Sequence, residues 1–169
     1  MRYHNDSIAK NYSFYDILTL NEVNATVLED MRRLRDRCLD PGVYVKHLKQ
    51  WLSVFSHKQI YAVDGDELKH EPVKCMEKLQ RFLPITTRID YNRVIKYDAK
   101  KRFFCAYLRR PKRVKCLGAS KGRKYAPLDI QSRDYLRLFY NKTNSLFRRL
   151  LVKYAYQIPR WLNTTTSIE

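Results

Sequence analysis

Apolar positions along the chain recur mostly at helical spacing. Leu28, Met31, Leu34 and Cys38 lie on one stripe, and Asp40-Pro41-Gly42 closes the helix they predict. Tyr44, Leu48, Leu52 and Phe55 line one face of a second helix. The pattern then changes. Gln59-Ile60-Tyr61-Ala62-Val63 is a short run rich in strand formers, closed by the turn residues Asp64-Gly65-Asp66. Glu71-Pro72 opens a third helix carrying Val73, Met76, Leu79 and Phe82, and Pro84 stops it. The longest stripe begins near Asp129 or Ser132. It passes through Leu136, Phe139, Leu146, Leu150 and Tyr154, and ends before Pro159. Helix, strand, turn, helix predicts an α/β crossover built on a buried parallel strand.

One strand is clear in this pattern and a second is weaker. A stable sheet needs about three or more strands. The helices therefore carry more apolar face than the predicted sheet can cover, and the expectation is of an incomplete α/β domain. A length of 169 residues fits one domain, so residues 1–169 read as one portion of it.

Composition supports a folded chain. An apolar fraction of 44% with 13% aromatics argues against disorder. Charge narrows the set of partners. Lys and Arg total 34 against 17 acids, a formal net charge of +17, and such a field concentrates anions near the surface. Nucleic acid, acidic membrane, a phosphorylated cofactor and a sulfated polysaccharide all satisfy that charge.

The cations cluster. Eleven fall between Lys100 and Lys124, with no acid among them and with Phe103, Phe104, Tyr107 and Tyr125 interleaved. Within this run, Cys105 and Cys116 bracket Ala106 to Lys115. A strand, a turn near Arg110-Pro111 and a return strand would bring the two cysteines together. Joined, they would make the hairpin a rigid arm; in a reducing compartment they would remain thiols. Zinc is disfavoured, because neither cysteine has a C-x-x-C partner and the histidines lie elsewhere. Cys38 and Cys75 read as small core residues.

After the second cysteine comes Leu117-Gly118-Ala119-Ser120-Lys121-Gly122-Arg123-Lys124-Tyr125. Two glycines permit close backbone approach, and exposed N–H groups in such a turn cradle anions. Arg123 suits a bidentate phosphate contact, while Lys121 and Lys124 add point charges. Tyr125 or Phe104 can stack on a base. The spacing is not that of a Walker loop.

The start of the chain, Met1-Arg2-Tyr3-His4-Asn5-Asp6, is not a signal peptide, and no stretch is apolar enough for a membrane span. Against a cytosolic reading stand N-x-Ser/Thr sites, among them those at Asn11, Asn24, Asn141 and Asn163. No carboxylate has a spacing that marks it as a catalytic base. His4, His47, His57 and His70 read as surface residues.

The run Cys116-Leu117-Gly118-x-Ser120-Lys121-Gly122-Arg123-Lys124-Tyr125 resembles the C-terminal part of the heparan sulfate N-deacetylase/N-sulfotransferases. Arg37-Cys38-Leu39-x-Pro41-Gly42, His47-Leu48-x-x-Trp51-Leu52, Asp64-Gly65, Ile89-Asp90-Tyr91 and Pro159-x-Trp161-Leu162 follow in the family's order. The resemblance implies a partial sulfotransferase fold, P-loop-like, with a parallel sheet and flanking helices. It also implies 3′-phosphoadenylyl sulfate as sulfate donor, with no metal. By that similarity Lys121, Gly122, Arg123, Lys124 and Tyr125 would wrap the donor's 3′-phosphate region, and Phe104 would lie against the nucleotide. Cys105 and Cys116 would form the family's disulfide. The acceptor would be the glucosamine amino group of heparan sulfate or heparosan, and the compartment the Golgi lumen, with no nucleic-acid partner.

The chain departs from the family in three ways. Phe104 stands where the family has Trp, and the span between the cysteines is one residue longer. The strand-loop-helix that binds the 5′-phosphosulfate, and the glutamate proposed as base, precede this region in the family. The expectation is therefore a cofactor-gripping portion of a glucosamine N-sulfotransferase. The alternative is a non-catalytic module that binds heparin or another polyanion.

Overall fold

A computed structural model describes residues 11–20, 25–86, 88–108, 113–116 and 126–163. In chain order its elements are α1 (Phe14–Thr19), α2 (Ala25–Leu39), α3 (Tyr44–Leu52), α4 (Gly65–His70), α5 (Pro72–Phe82), α6 (Tyr91–Val94), β1 (Ile95–Asp98), β2 (Phe103–Leu108), β3 (Arg113–Lys115), α7 (Ile130–Lys153) and α8 (Arg160–Asn163). They fall into two compact units. One comprises the residues up to His57 together with those from Ala126 onward; the other is Lys58–Tyr125.

The first unit is helical. Ser13 starts α1 with a capping box: its Oγ accepts the Asp16 amide at 3.1 Å, and Asp16 Oδ2 accepts the Ser13 amide at 3.0 Å. The predicted stripe of α2 holds at Met31 and Leu34 but not at its end: Cys38, expected in the core, is exposed, and Leu39 is buried instead. Met31 and Leu34 bury against Ile17 of α1, with Tyr12, Leu20 and Val27 packed around them. Asp40-Pro41-Gly42 ends α2 as a short 3-10 turn, and the Val43 amide closes it on the Asp40 carbonyl at 3.0 Å.

That turn is held by the long helix α7. The Tyr140 hydroxyl donates to the Leu39 carbonyl at 2.7 Å, and the hydroxyl end of its ring lies against Gly42. A Cβ on Gly42 would come within 2.5–2.8 Å of the Tyr140 ring and oxygen. Close approach, not backbone strain, is what requires a glycine here. Burial pushes the Tyr140 phenol above its ordinary pKa. Tyr44 on α3 packs between Phe147 and Trp161, with ring centroids 5.6 and 5.8 Å away. Asp129 caps α7 as expected, its Oδ1 accepting the Ser132 amide at 2.7 Å.

The second unit holds the sheet. Asp64 does not close a strand; it caps α4, accepting the Asp66 amide at 2.9 Å. The parallel strand expected at Gln59–Val63 is absent among the described residues. Gln59 ends a 3-10 turn, residues 60–64 have no ladder, and Tyr61 turns its ring onto Phe82 at 5.0 Å. Strand formers make a strand only where a partner strand accepts their backbone groups, and among the described residues no strand ladder includes this run. The sheet that does form is antiparallel, in the order β1-β2-β3. Among the described residues the α/β expectation therefore holds as helices plus a small antiparallel sheet, and no parallel pairing is found there. The helix predicted from Pro72 runs to Phe82 and buries Cys75. Beside Cys75, Lys78 reaches Glu67 of α4 at 2.5 Å, which joins α5 to α4.

Two outcomes test the first unit. Gly42→Ala should lower stability by about 2 kcal/mol, since the added methyl must displace the Tyr140 ring; Tyr140→Phe should cost about 1 kcal/mol for the lost hydrogen bond. Urea unfolding measures both, and an unchanged midpoint for Gly42→Ala would show that the turn does not need glycine. The Ser132 amide holds the Asp129 carboxyl below its ordinary value of 3.8. Its contribution is thus present above that value and is lost as pH falls through the folded-state pKa. Asp129→Asn, which can still cap, should flatten stability against pH on the acid side of about 4.

Candidate functional site

The sheet positions the residues that matter. Asp98, at the end of β1, makes the first turn: its Oδ1 accepts the amides of Lys100 and Lys101, both at 3.0 Å. The Arg102 amide returns to the Asp98 carbonyl at 2.8 Å, and Arg102 takes a left-handed conformation, φ 58°. The turn sets the register. Asp98 pairs with Phe103, Tyr97 with Phe104, Lys96 with Cys105 and Ile95 with Ala106.

On the other side of β2, Ala106 pairs with Lys115. One step further along that ladder, Cys105 stands opposite Cys116. The two form a disulfide with a Cα–Cα distance of 4.5 Å, the separation of a directly opposed, non-hydrogen-bonded antiparallel pair. Of the two alternatives open in the sequence, joined or free, the structure has them joined. Cys105 is buried, and Asp98 lies beside it, within 4.8 Å of both sulfurs. The sulfurs are bound to each other, so this trio offers no thiolate to a metal.

Successive side chains of a strand point to opposite faces. Cys105 therefore faces the disulfide while Phe104 faces away from it. There Phe104 meets Tyr97 edge-on, with ring centroids 5.2 Å apart and planes at 68°. Tyr97 is 58% exposed and Phe104 half-buried, so the pair presents an aromatic surface on one face of the sheet. Sequence reasoning singled out Phe104 and missed Tyr97. The signal was the alternation Ile95-Lys96-Tyr97-Asp98 ahead of the turn residues, which marks a strand paired with β2.

Lys121, Gly122, Arg123, Lys124 and Tyr125 lie outside the described residues. What the structure supplies next to them is a fixed starting point, because Cys116 is tied to β2. A cleft of about 380 Å³ also lies in this unit, lined by Ile89, Asp90, Arg93, Val94 and Tyr107. Its charged groups are engaged with each other, Arg93 to Asp90 at 2.9 Å.

A profile of the sulfotransferase domain matches residues 1–142. The chain belongs to the sulfotransferase domain family. Along nearly its whole length it is similar to larger proteins of that family. It is 41% identical over 167 residues to a bifunctional heparan sulfate N-deacetylase/N-sulfotransferase of Drosophila melanogaster, covering 98% of this chain and 16% of that protein. It is 40% identical over 161 residues to the bifunctional heparan sulfate N-deacetylase/N-sulfotransferase 1 of Homo sapiens, covering 95% of this chain and 18% of that protein. The chain thus spans less than a fifth of the length of these relatives.

His4 lies outside the described residues of this sulfotransferase chain; the other histidines make local contacts or are exposed. His47 Nε2 sits 3.0 Å from the Asp40 carbonyl in the first unit, a structural contact where the sequence suggested only surface. His57 packs against Tyr154, and His70 is exposed at the end of α4. No catalytic base emerges from the described geometry. The hairpin is the testable part. A loop of this length, closed by a disulfide, gains about 3 kcal/mol in the chain-entropy model. Cys105→Ser with Cys116→Ser should cost about that much in urea unfolding. Non-reducing peptide mapping of the unaltered chain should recover Cys105 and Cys116 in one cross-linked peptide; free thiols at both positions would contradict the hairpin.

Proposed function

We propose that this chain is the C-terminal, donor-gripping portion of a heparan sulfate glucosamine N-sulfotransferase, with 3′-phosphoadenylyl sulfate as the donor. Its family membership and the similarity along nearly all of its length support this reading. The observation that carries it is the β2 register: the ladder opposes Cys105 to Cys116 and turns Phe104 to the open face beside Tyr97. An exposed aromatic edge pair fits an adenine ring, and the cations from Lys121 to Lys124 fit the nucleotide's phosphates.

In this reading Phe104 lies against the nucleotide, and Lys121 to Tyr125 close around its 3′-phosphate through backbone amides, ammonium groups and the Arg123 guanidinium. Holding that end of the donor removes rotational freedom and leaves the sulfuryl group at the other end free to meet an acceptor. Transfer breaks the sulfur–oxygen bond to the 5′-phosphate and forms a nitrogen–sulfur bond, and the amine proton passes to a base. This chain's residues bind and orient; none is assigned as that base. The run Gln59–Val63 becomes a strand when a parallel partner is present to accept its backbone groups. The disulfide fits an oxidising compartment such as the Golgi lumen. Asn141 and Asn163, each starting an N-x-Ser/Thr site, are exposed.

Calorimetric titration with 3′-phosphoadenosine 5′-phosphate tests the donor reading. The intact chain should bind it, Arg123→Ala should weaken binding about tenfold or more, and Phe104→Ala about fivefold. Alone, the chain should transfer no sulfate to N-deacetylated heparosan. Absence of nucleotide binding by the unaltered chain, or an unchanged affinity in both variants, would sink the donor assignment.

A further inference from the structure

We propose that the β1–β2 turn is a contact site for a sulfated polysaccharide, separate from the donor-binding residues. The turn and the strand leading into it carry Lys96, Lys100, Lys101 and Arg102 against one carboxylate, Asp98. All four cationic side chains are exposed, and among the described residues none has an acidic partner. Several cations elsewhere lie on a nearby acid: Arg32 and Arg33 on Glu29, Lys46 on Asp40, Lys74 on Glu71, Lys78 on Glu67, Arg93 on Asp90.

The contrast has a structural cause. Asp98 is the one acid within reach, and its Oδ1 is turned inward onto the amides of Lys100 and Lys101, not outward onto their ammonium groups. The carboxylate builds the turn and leaves the charges it presents unpaired. Arg102 closes the turn with a left-handed backbone that an arginine rarely adopts, where glycine would fit without strain. The support is stiff: the β1–β2 ladder runs directly into the turn, and the disulfide ties β2 to the residue after β3. Cations held on a stiff, strand-paired turn lose less freedom when they meet a polyanion than cations on a loose tail. A linear polymer with regularly spaced sulfates also releases counterions when it binds them.

The choice of a sulfated polysaccharide over nucleic acid rests on the proposed function and on the disulfide, which suits a compartment without nucleic acid. The site differs from the donor site in place and in chemistry. Phe104 and Tyr97 offer rings to a nucleotide, whereas the turn offers only charge. The turn would steer or hold the acceptor chain while the donor occupies the aromatic face.

A heparin octasaccharide titrated into the intact chain by calorimetry, at several salt concentrations, is the test. Lys100→Ser with Lys101→Ser and Arg102→Gly keeps a turn that Asp98 can still close. It should weaken octasaccharide binding about tenfold and lower the slope of log affinity against log salt by about two to three. Affinity for 3′-phosphoadenosine 5′-phosphate should not change. As a control, Lys142→Ser with Arg148→Ser and Arg149→Ser removes equal charge from exposed positions of α7 and should change octasaccharide binding less than about twofold. Lys101→Glu alone should act in the same direction as the turn variant, which guards against a turn that fails to form. Equal losses in the turn and α7 variants would overturn the proposal, since net charge alone would then explain binding. A single-stranded oligonucleotide of matched charge that binds as tightly, with the same sensitivity, would overturn the choice of polysaccharide. A selective loss in the turn variant, in a chain that binds no nucleotide, would support the turn site while sinking the donor reading.

Discussion

The pairing of β2 with a strand on either side is the constraint on which the candidate site depends. Its period of two separates the work of adjacent residues. Cys105 goes to one face and is spent on a cross-link; Phe104 goes to the other and stays available. A slip of one residue would exchange them, leaving the aromatic ring against Cys116 and the cysteine in the open. Three local devices hold the register. Asp98 closes the turn at one end, Tyr97 meets Phe104 across the first ladder, and the disulfide closes the second. The second ladder agrees with the first, because Ala106 pairs with Lys115 and Cys105 follows opposite Cys116.

The helical unit is organised by a different contact. Tyr140 on α7 reaches the turn that ends α2, takes the last carbonyl of that helix and covers Gly42. One side chain thus satisfies an orphan helix-end acceptor and fixes the angle at which the chain enters α3. Pro41-Gly42, which the sequence marks as a stop, is also a docking point, and the stop depends on a partner 98 positions further along (Gly42 to Tyr140). Aromatic packing of Tyr44 between Phe147 and Trp161 completes that arrangement.

Charge connects the fold to the function proposed. Several acid–base pairs elsewhere in the described chain cancel at short range and contribute little to binding. Around the first hairpin no such pair forms among the described residues. The single acid there is used by the backbone, so the field of Lys96, Lys100, Lys101 and Arg102 reaches solvent. A protein that handles a phosphorylated donor and a polyanionic acceptor needs unneutralised charge held in place, and the hairpin supplies it on a stiff support.

The sequence by itself determined the four longer helices, though not the short ones. The stripes through Met31 and Leu34, the Pro72 start and the Asp129 cap all lie where local rules put them, because helix bonds run between near neighbours in the chain. It also marked Phe104, the cysteine pair and the cations from Lys100 onward as a place of interest, although Tyr97 and the turn built by Asp98 went unnoticed. Only the tertiary structure decided the rest. Whether Gln59–Val63 is a strand depends on a neighbour to pair with, and among the described residues it has none. Whether Cys105 and Cys116 join depends on a register set by two ladders. Strand pairing and cross-links are contacts between distant residues, so no run of sequence specifies them alone.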